Sequence, residues 1–596
     1  MKLTKLSIKN FRKLQNVEIS IGDATFLIGA NNAGKSSTLS CLEYLLGEKK
    51  LDSNDRSRYL DSDSGEEITC DGDIIIEGEF RDVSEDIINE RGFNKDRLFS
   101  YTKDDETKGY GFKYRVRYTP TDNKMHREIK LHVQTIKEDF LDCKCPQDYI
   151  DKGIDAAFFG DLDLSKNFTA KTKSLLDDIS EIHEMSTESD WFENPGGIPG
   201  NVLSKLPRYL KIEASSLPEE INEKTGSMQV LLNNLFEDVK NESENYKEAK
   251  KSLDNLAKEL DPSDDNKEFG KMMGELNRVV DEVFPNSEIN VSAQLSGPES
   301  LKPKFEISMK SNVNTDIMYQ GTGMIRSVVF ALLKYRQQRS NNNGSDLIIG
   351  FEEPELFLHP NAANSMRDTI YDLAVGKTQI ISTTHSPYMI DISKEPKQVL
   401  NSYSSSEHEF SKIFCFNHSK AFNELQSDDK SRIKMIQKID DYVSRVFFAE
   451  KVVIVEGNTE DLVFKKTIEV MPEDVRKEIS SKYQIIKANG KATMISFIKY
   501  LLSMNVDLFV VHDEDSQTKG AVIMNQPILD ALENHEERRY MMHNCIEDEI
   551  GYSAPSSDKP YKAYKHISGW NTWNDVPDTW KNVMKRIFSS YSDSLN

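Results

Sequence analysis

Gly29-Ala30-Asn31-Asn32-Ala33-Gly34-Lys35-Ser36 is a complete phosphate-binding loop. Ala24-Thr25-Phe26-Leu27-Ile28 before it is a short, buried-type strand, and Ser37 to Leu46 after it reads as a helix. The chemistry needs this order. Glycines let backbone N–H groups wrap phosphates, and a helix N-terminus favours their negative charge. Lys35 is expected to reach the β- and γ-phosphates of ATP and Ser36 to hold Mg²⁺, with Asn31, Asn32, Gly34 and Ser37 lining the same loop.

Two partners follow more than 300 residues later. Leu347-Ile348-Ile349-Gly350-Phe351 is a buried-type strand ending in Glu352-Glu353-Pro354-Glu355. Glu352 is assigned to Mg²⁺ and Glu353 to the base that orients or deprotonates water. Gln379-Ile380-Ile381-Ser382-Thr383-Thr384-His385-Ser386 is another buried-type strand, and its His385 is placed to hydrogen-bond the γ-phosphate.

These pieces resemble the ABC-type ATPase head shared with the SMC proteins, split over residues 1–75 and 300–395. In that family the first carboxylate is usually Asp, so Glu352 reaches one methylene further. Ile8-Lys9-Asn10-Phe11-Arg12 resembles the family's opening strand, which implies Arg12 near the nucleotide. The counterpart of its signature loop is Gln320-Gly321-Thr322-Gly323-Met324-Ile325-Arg326-Ser327, a departure from Ser-Gly-Gly. The resemblance gives Gly321 and Gly323 a nucleotide contact on a second head, and so implies a dimer.

A second constellation lies in the C-terminal part. Val452-Val453-Ile454-Val455 precedes Glu456-Gly457, and Asp507-Leu508-Phe509-Val510-Val511-His512 precedes Asp513-Glu514-Asp515. Lys487-Ala488-Asn489-Gly490-Lys491 between them opens a helix. Glu-Gly at one strand end and Asp-x-Asp at the next resemble a Toprim domain over residues 450–550. Glu456, Asp513 and Asp515 would meet at one sheet edge, where unpaired carboxylates repel and ask for a divalent cation. Oxygen donors favour Mg²⁺, Mn²⁺ or Ca²⁺ over zinc. Glu460, Glu547 and Glu549 are candidate ligands of a second ion, and Lys559 and Lys562 are candidates to stabilise phosphate charge.

The organisation is α/β throughout. Residues 1–214 read as the first ATPase part with a β-rich lobe, 215–287 as a helical dimerisation insert, and 288–400 as the second ATPase part. Residues 401–445 read as a polar connector and 446–596 as a Rossmann-like Toprim domain with an unassigned tail. In the lobe, Phe112 to Tyr118 alternates aromatic or apolar with basic residues. That pattern suits either a nucleic-acid face or an antiparallel strand with one solvated face. In the insert, Tyr246, Ala249, Leu253, Leu256 and Leu260 form a two-heptad seam, and Met272, Leu276, Val279, Val280 and Val283 mark a following helix.

Bulk properties narrow the class. The 596 residues carry a net charge of −23, which argues against a general nucleic-acid coat. There is no apolar run long enough for a membrane span and no apolar signal core at Met1-Lys2-Leu3-Thr4-Lys5-Leu6, so a cytoplasmic protein is expected. Of six cysteines only Cys143 and Cys145 lie close together, which makes reduced thiols the reading.

The whole order resembles the OLD (overcoming lysogenization defect) family. The resemblance implies an ATP-controlled, metal-dependent DNA endonuclease of bacterial antiphage defence, working as a dimer or larger assembly, with accessory proteins or nucleic-acid complexes as partners. The rival class is an SMC-like ATPase clamp whose Toprim domain binds metal or a partner without cutting. A topoisomerase would need a nucleophilic tyrosine in a DNA-gripping domain, and a primase would have no use for the ATPase head.

Overall fold

The computed structural model describes residues 1–214 and 346–596, apart from 62–64, 104, 161, 174, 357, 359, 395–396, 405–409, 517 and 596; between 215 and 345 it describes separate pieces, the longest being 243–259. Ser215–Asn343 forms one compact unit, and Met1–Ala214 with Gly344–Asn596 forms the other. The expected boundary at 287/288 falls inside the first of these.

Within the larger unit, period-two patterning builds a seven-stranded sheet, antiparallel at every pairing. Its order is His183–Phe192, Lys124–Ile136, Lys108–Thr119, Ile74–Arg81, Lys2–Phe11, Leu14–Ser20, with Phe99–Thr102 beside the Lys108 strand. Leu3, Leu6, Ile8, Phe112, Tyr114, Val116 and Tyr118 supply the buried face. On the other face Lys113 pairs with Glu77 at 3.1 Å, Arg115 with Glu128 at 2.6 Å, and Arg117 with Glu128 and Asp73. The basic positions of Phe112 to Tyr118 therefore sit on a charge-paired face, not an open basic one.

The second sheet carries the phosphate loop. Its strands are β1 (Ala24–Gly29), β2 (Leu347–Glu352), β3 (Thr378–Thr383), β4 (Gln398–Ser404) and β5 (Lys412–Phe416), with Arg208–Ile212 outermost beyond β2. The order is Arg208–Ile212, β2, β3, β1, β4, β5, parallel except for the last pair. Helix α1 (Lys35–Leu46) follows β1. Buried runs such as Phe26-Leu27-Ile28 and Ile348-Ile349 explain the parallel centre, since both faces are covered. The expected connector 401–445 is not a connector at its start. Residues 401–404 finish β4, and β5 is an edge strand of the ATPase sheet. Helices α2 (His418–Glu424) and α3 (Ser427–Ile439) follow.

The C-terminal part is a four-stranded parallel sheet of β6 (Lys451–Val455), β7 (Tyr483–Lys487), β8 (Leu508–Asp513) and β9 (Arg539–Met542), in the order β7, β6, β8, β9. Helix α4 (Asn458–Val470) follows β6, and α5 (Lys491–Leu502) joins β7 to β8. The tail is core, with helices α6 (Lys559–Ile567) and α7 (Asp578–Ile587). Trp580 is fully buried, edge-on to Phe464, and its indole N–H donates to Thr467 Oγ1 at 2.8 Å.

In the smaller unit, Glu244–Glu259 is helical, as its seam predicted. Leu260 and the helix expected over Leu276 to Val283 lie outside the described residues, as does Gly323. All six cysteines are free thiols. Among the described residues no helix is long and apolar enough to cross a membrane.

Candidate functional site

The phosphate loop bridges β1 and α1 through two glycines. Gly29 and Gly34 have φ of 130° and 96°, and a Cβ on Gly29 would meet the Tyr403 carbonyl oxygen at 2.1 Å. Lys35 lies across the loop, donating to the Gly29 and Ala30 carbonyls at 3.0 and 2.7 Å. Burial pulls its pKa down, and the nearby Glu353 carboxylate opposes that. Asn31, Asn32 and Ser36 are exposed and Ser37 is half-buried, open to a ligand in the loop.

The sheet order brings β2 and β3 to the same edge. Glu352 ends β2, and Glu353 adopts a left-handed backbone with φ 45°, its N–H donating to the Thr383 carbonyl at 3.1 Å. Glu353 Oε1 lies 3.5 Å from His385 Nε2. Burial first, then the Lys35 charge, lowers the His385 pKa. Lys35, Glu353 and His385, distant in sequence, thus share one electrostatic neighbourhood.

Glu355, quoted in the sequence reading without a role, holds this corner. It accepts from Thr384 Oγ1 at 2.6 Å and from the His385 N–H at 3.2 Å, and burial raises its pKa. Only its place after the Glu352-Glu353 pair could have signalled it.

Arg12 stands slightly apart. Its guanidinium pairs with Asp55 at 3.0 Å and lies over the Phe11 ring. The turn it shares with Lys13 is nevertheless tied to the loop: the Ser411 N–H donates to the Lys13 carbonyl at 3.0 Å, and Ser411 Oγ donates to the Ala33 carbonyl at 2.8 Å. Gly321 is exposed and lies in the smaller unit.

The second site forms where β6 and β8 end. Glu456 follows β6 and Asp513 closes β8, and the Asp513 backbone N–H favours the charged form of Glu456. Burial, with Asp515 and Glu460 adding repulsion and Lys491 opposing, pushes Glu456 up to about 7. Burial and four acids, Glu460, Glu456, Asp515 and Glu547, push Asp513 up to about 8. Glu460 on α4 caps its own helix, accepting from the Gly457 N–H at 2.8 Å, and is raised by burial and by Glu547. Lys559 Nζ lies 3.9 Å from Glu547 Oε1 and also acts on Glu460.

The sheet therefore gathers Glu456, Glu460, Asp513, Asp515, Glu547 and Lys559. It does not gather Glu549. That carboxylate accepts from the His543 N–H at 3.0 Å and the Tyr540 hydroxyl at 3.3 Å. Residues two apart on a helix face opposite ways, so Glu547 and Glu549 cannot both point at the acids. Lys562, one turn along α6 from Lys559, is exposed to solvent. Lys491, named in sequence only as part of a turn, is the missed member. Its side chain is 4% exposed, and its ammonium lies 2.8 Å from Asp515 Oδ2.

The donor set fits a hard divalent cation. All its acids are oxygen donors, and Glu456 Oε2, Asp513 Oδ1 and both Glu547 oxygens are buried without a conventional hydrogen-bond donor. Among the described residues no three such side chains already surround one point at ligand distance. The acids share a field; they do not form a closed shell.

Together the two sites define a phosphate-loop ATPase joined to a Toprim domain. Residues 1–390 match the AAA ATPase domain family, and residues 447–515 match the Toprim domain of overcoming-lysogenization-defect-like proteins. The chain belongs to this AAA ATPase family, and it carries an OLD-like Toprim domain. It is 24% identical to the Old nuclease of Escherichia phage P2, over 86% of this chain and 77% of that one. It is 21% identical to the OLD nuclease of Thermus scotoductus, over 94% of each. It is 22% identical to the endonuclease GajA of Bacillus cereus, over 87% of this chain and 76% of that one.

Proposed function

We propose that this protein is an ATP-regulated, divalent-metal-dependent DNA endonuclease, cytoplasmic and active in bacterial antiphage defence. The observation that carries the reading is the set of buried carboxylate oxygens without conventional donors on Glu456, Asp513 and Glu547, beside the Lys559 ammonium. The names of the relatives support the nuclease part, and the resemblance to the OLD family supports DNA, defence, and a homodimer or larger assembly with accessory partners. The segment 215–287 is the proposed dimerisation element.

In this reading Glu456, Glu460, Asp513, Asp515 and Glu547 hold Mg²⁺, for which Mn²⁺ or Ca²⁺ can substitute. The bound cation would lower the charge on a phosphodiester and ease attack by water. Lys559 donates to a non-bridging phosphate oxygen, where charge builds as the bond breaks, and Lys562 offers a second cation on the solvent side. In the ATPase part, Lys35 and the loop N–H groups grip the phosphates. Ser36 and Glu352 hold the Mg²⁺ of the nucleotide, Glu353 takes a proton from water, and His385 hydrogen-bonds the γ-phosphate.

The test is nicking of supercoiled plasmid with Mg²⁺ or Mn²⁺, in ATP, ADP and a non-hydrolysable analogue, for wild type and Asp513→Ala. Metal-dependent nicking lost in Asp513→Ala is the expected result. Wild type that hydrolyses ATP yet nicks no form of DNA would overturn the reading for the free protein and leave the ATPase clamp.

A further inference from the structure

Helix α5 links the Toprim acids to the helices that follow the ATPase sheet. At its first residue, Lys491 Nζ binds Asp515 Oδ2 at 2.8 Å and donates to Asn525 Oδ1 at 2.9 Å. Its charge also reaches Glu456. A buried ammonium is tolerated only with such partners, so this contact is strongly held.

The other half of α5 is bound to the elements that follow the ATPase sheet. Ser496 Oγ donates to Asp429 Oδ1 at 2.5 Å, and Lys499 pairs with Asp429 Oδ2 at 3.2 Å. Tyr500 and His418, both buried, share a hydrogen bond, and their rings meet edge-to-face at 5.7 Å. Residues 496, 499 and 500 are spaced to share one helix face, so these contacts act as one clamp. Asp429 and His418 sit on α3 and α2, directly after β5. Just before β5, Ser411 donates to the Ala33 carbonyl of the phosphate loop at 2.8 Å. A continuous run of short contacts thus leads from that loop through β5, α2 and α5 to Asp515.

Resting on the reading of ATP control above, we propose that Lys491 is a positioning residue for the Toprim acids, and that α5 carries the state of the nucleotide site to it. Asp515 faces two competing cations, the Lys491 ammonium and a divalent ion. A hydrogen-bonded helix shifts as a rigid rod, so displacing the clamp at Ser496 and Tyr500 also displaces Lys491, about 13 Å along the axis from Tyr500. The hold of Lys491 on Asp515 then sets how fully that carboxylate is available to metal.

The experiment reads metal binding, not cutting. Mn²⁺ is titrated calorimetrically into the full chain with and without a non-hydrolysable ATP analogue, and the Toprim event is the one that Asp513→Asn abolishes. Wild type should show a nucleotide-dependent change in that affinity of about fivefold or more, in the usual range of coupling between sites. Ser496→Ala with Tyr500→Phe should bring the ratio close to one, while ATP hydrolysis and nucleotide-free Mn²⁺ affinity stay within about twofold; Tyr500→Phe alone serves if the pair folds poorly. Lys491→Gln should abolish the ratio and alter the nucleotide-free affinity, and Lys491→Arg should restore part of both. A wild-type ratio of one overturns the proposal. So does a full ratio in the clamp variant, or an unchanged affinity in Lys491→Gln. No DNA is present, so failure of the endonuclease reading would appear only in the nicking assay.

Discussion

Asp513→Asn should make the metal-free protein more stable while destroying its Toprim site. In the folded chain Asp513 titrates at about 8, driven by burial and four neighbouring acids, against an ordinary 3.8. The side chain is 8% exposed, so solvent screens little of this. The sign follows from proton linkage. A carboxyl whose folded pKa is raised adds its full stability only below its unfolded pKa, and that stability is lost as pH rises to the folded value. At pH 7 the unfolded chain gains about 1.4 kcal/mol per pH unit over roughly three units by ionising this acid, a loss of about 4 kcal/mol. Asparagine keeps the size and removes the titration. In EDTA at pH 7 the variant should melt roughly 8–15 °C above wild type, taking a cooperative unit of 150–250 residues, and the gap should close near pH 4. Mg²⁺ should narrow that gap. It stabilises wild type by binding only the folded state, by about 2.7 kcal/mol at a hundred times Kd, and should leave the variant's Toprim transition unmoved. Differential scanning calorimetry across pH, with and without Mg²⁺, gives all of these. A variant melting at or below wild type in EDTA at pH 7, or one keeping the full Mg²⁺ shift, would refute the reasoning.

The other predictions concern single residues. Lys35→Ala should abolish binding of a fluorescent ATP analogue and leave the Mg²⁺-dependent melting shift of the Toprim part intact. Glu353→Gln should retain nucleotide binding but lower steady-state ATP hydrolysis by about 10²–10⁴-fold, the usual worth of a general base. Lys559→Met should lower kcat for plasmid nicking by about 10²–10³-fold with little change in KM, because a donor to developing charge acts in the transition state. Trp580→Ala should cost about 3–5 kcal/mol in denaturant unfolding, through the cavity left against Phe464 and the lost hydrogen bond to Thr467.

The local chemistry was legible in the sequence. The loop from Gly29 to Ser36, the strand ends at Glu352 and Glu456, and the Asp513-x-Asp515 spacing are short-range patterns fixed by strand–turn–helix geometry. Each formed where its pattern placed it. The strand-like alternation of Phe112 to Tyr118 was equally clear, but its charge partners were not. Glu77, Glu128 and Asp73 lie on or beside other strands, so only pairing register decides whether that face is open or neutralised. Residues 401–404 and 412–416 are a related case. Asn401-Ser402-Tyr403-Ser404 is a polar run and Lys412-Ile413-Phe414-Cys415-Phe416 a short one, and only their pairing with β1 and with each other makes them strands.

What the sequence by itself determined is which residues can do chemistry: the phosphate loop, its acids and the Toprim carboxylates. What only the tertiary structure decided is which of them meet. It turned Glu547 inward and Glu549 away, because residues two apart on one short helix cannot face the same acids. It put the Lys491 ammonium against Asp515, making a turn residue a direct ion-pair partner of these acids. Side-chain direction and long-range pairing follow from packing of the whole fold, and no local spacing encodes them.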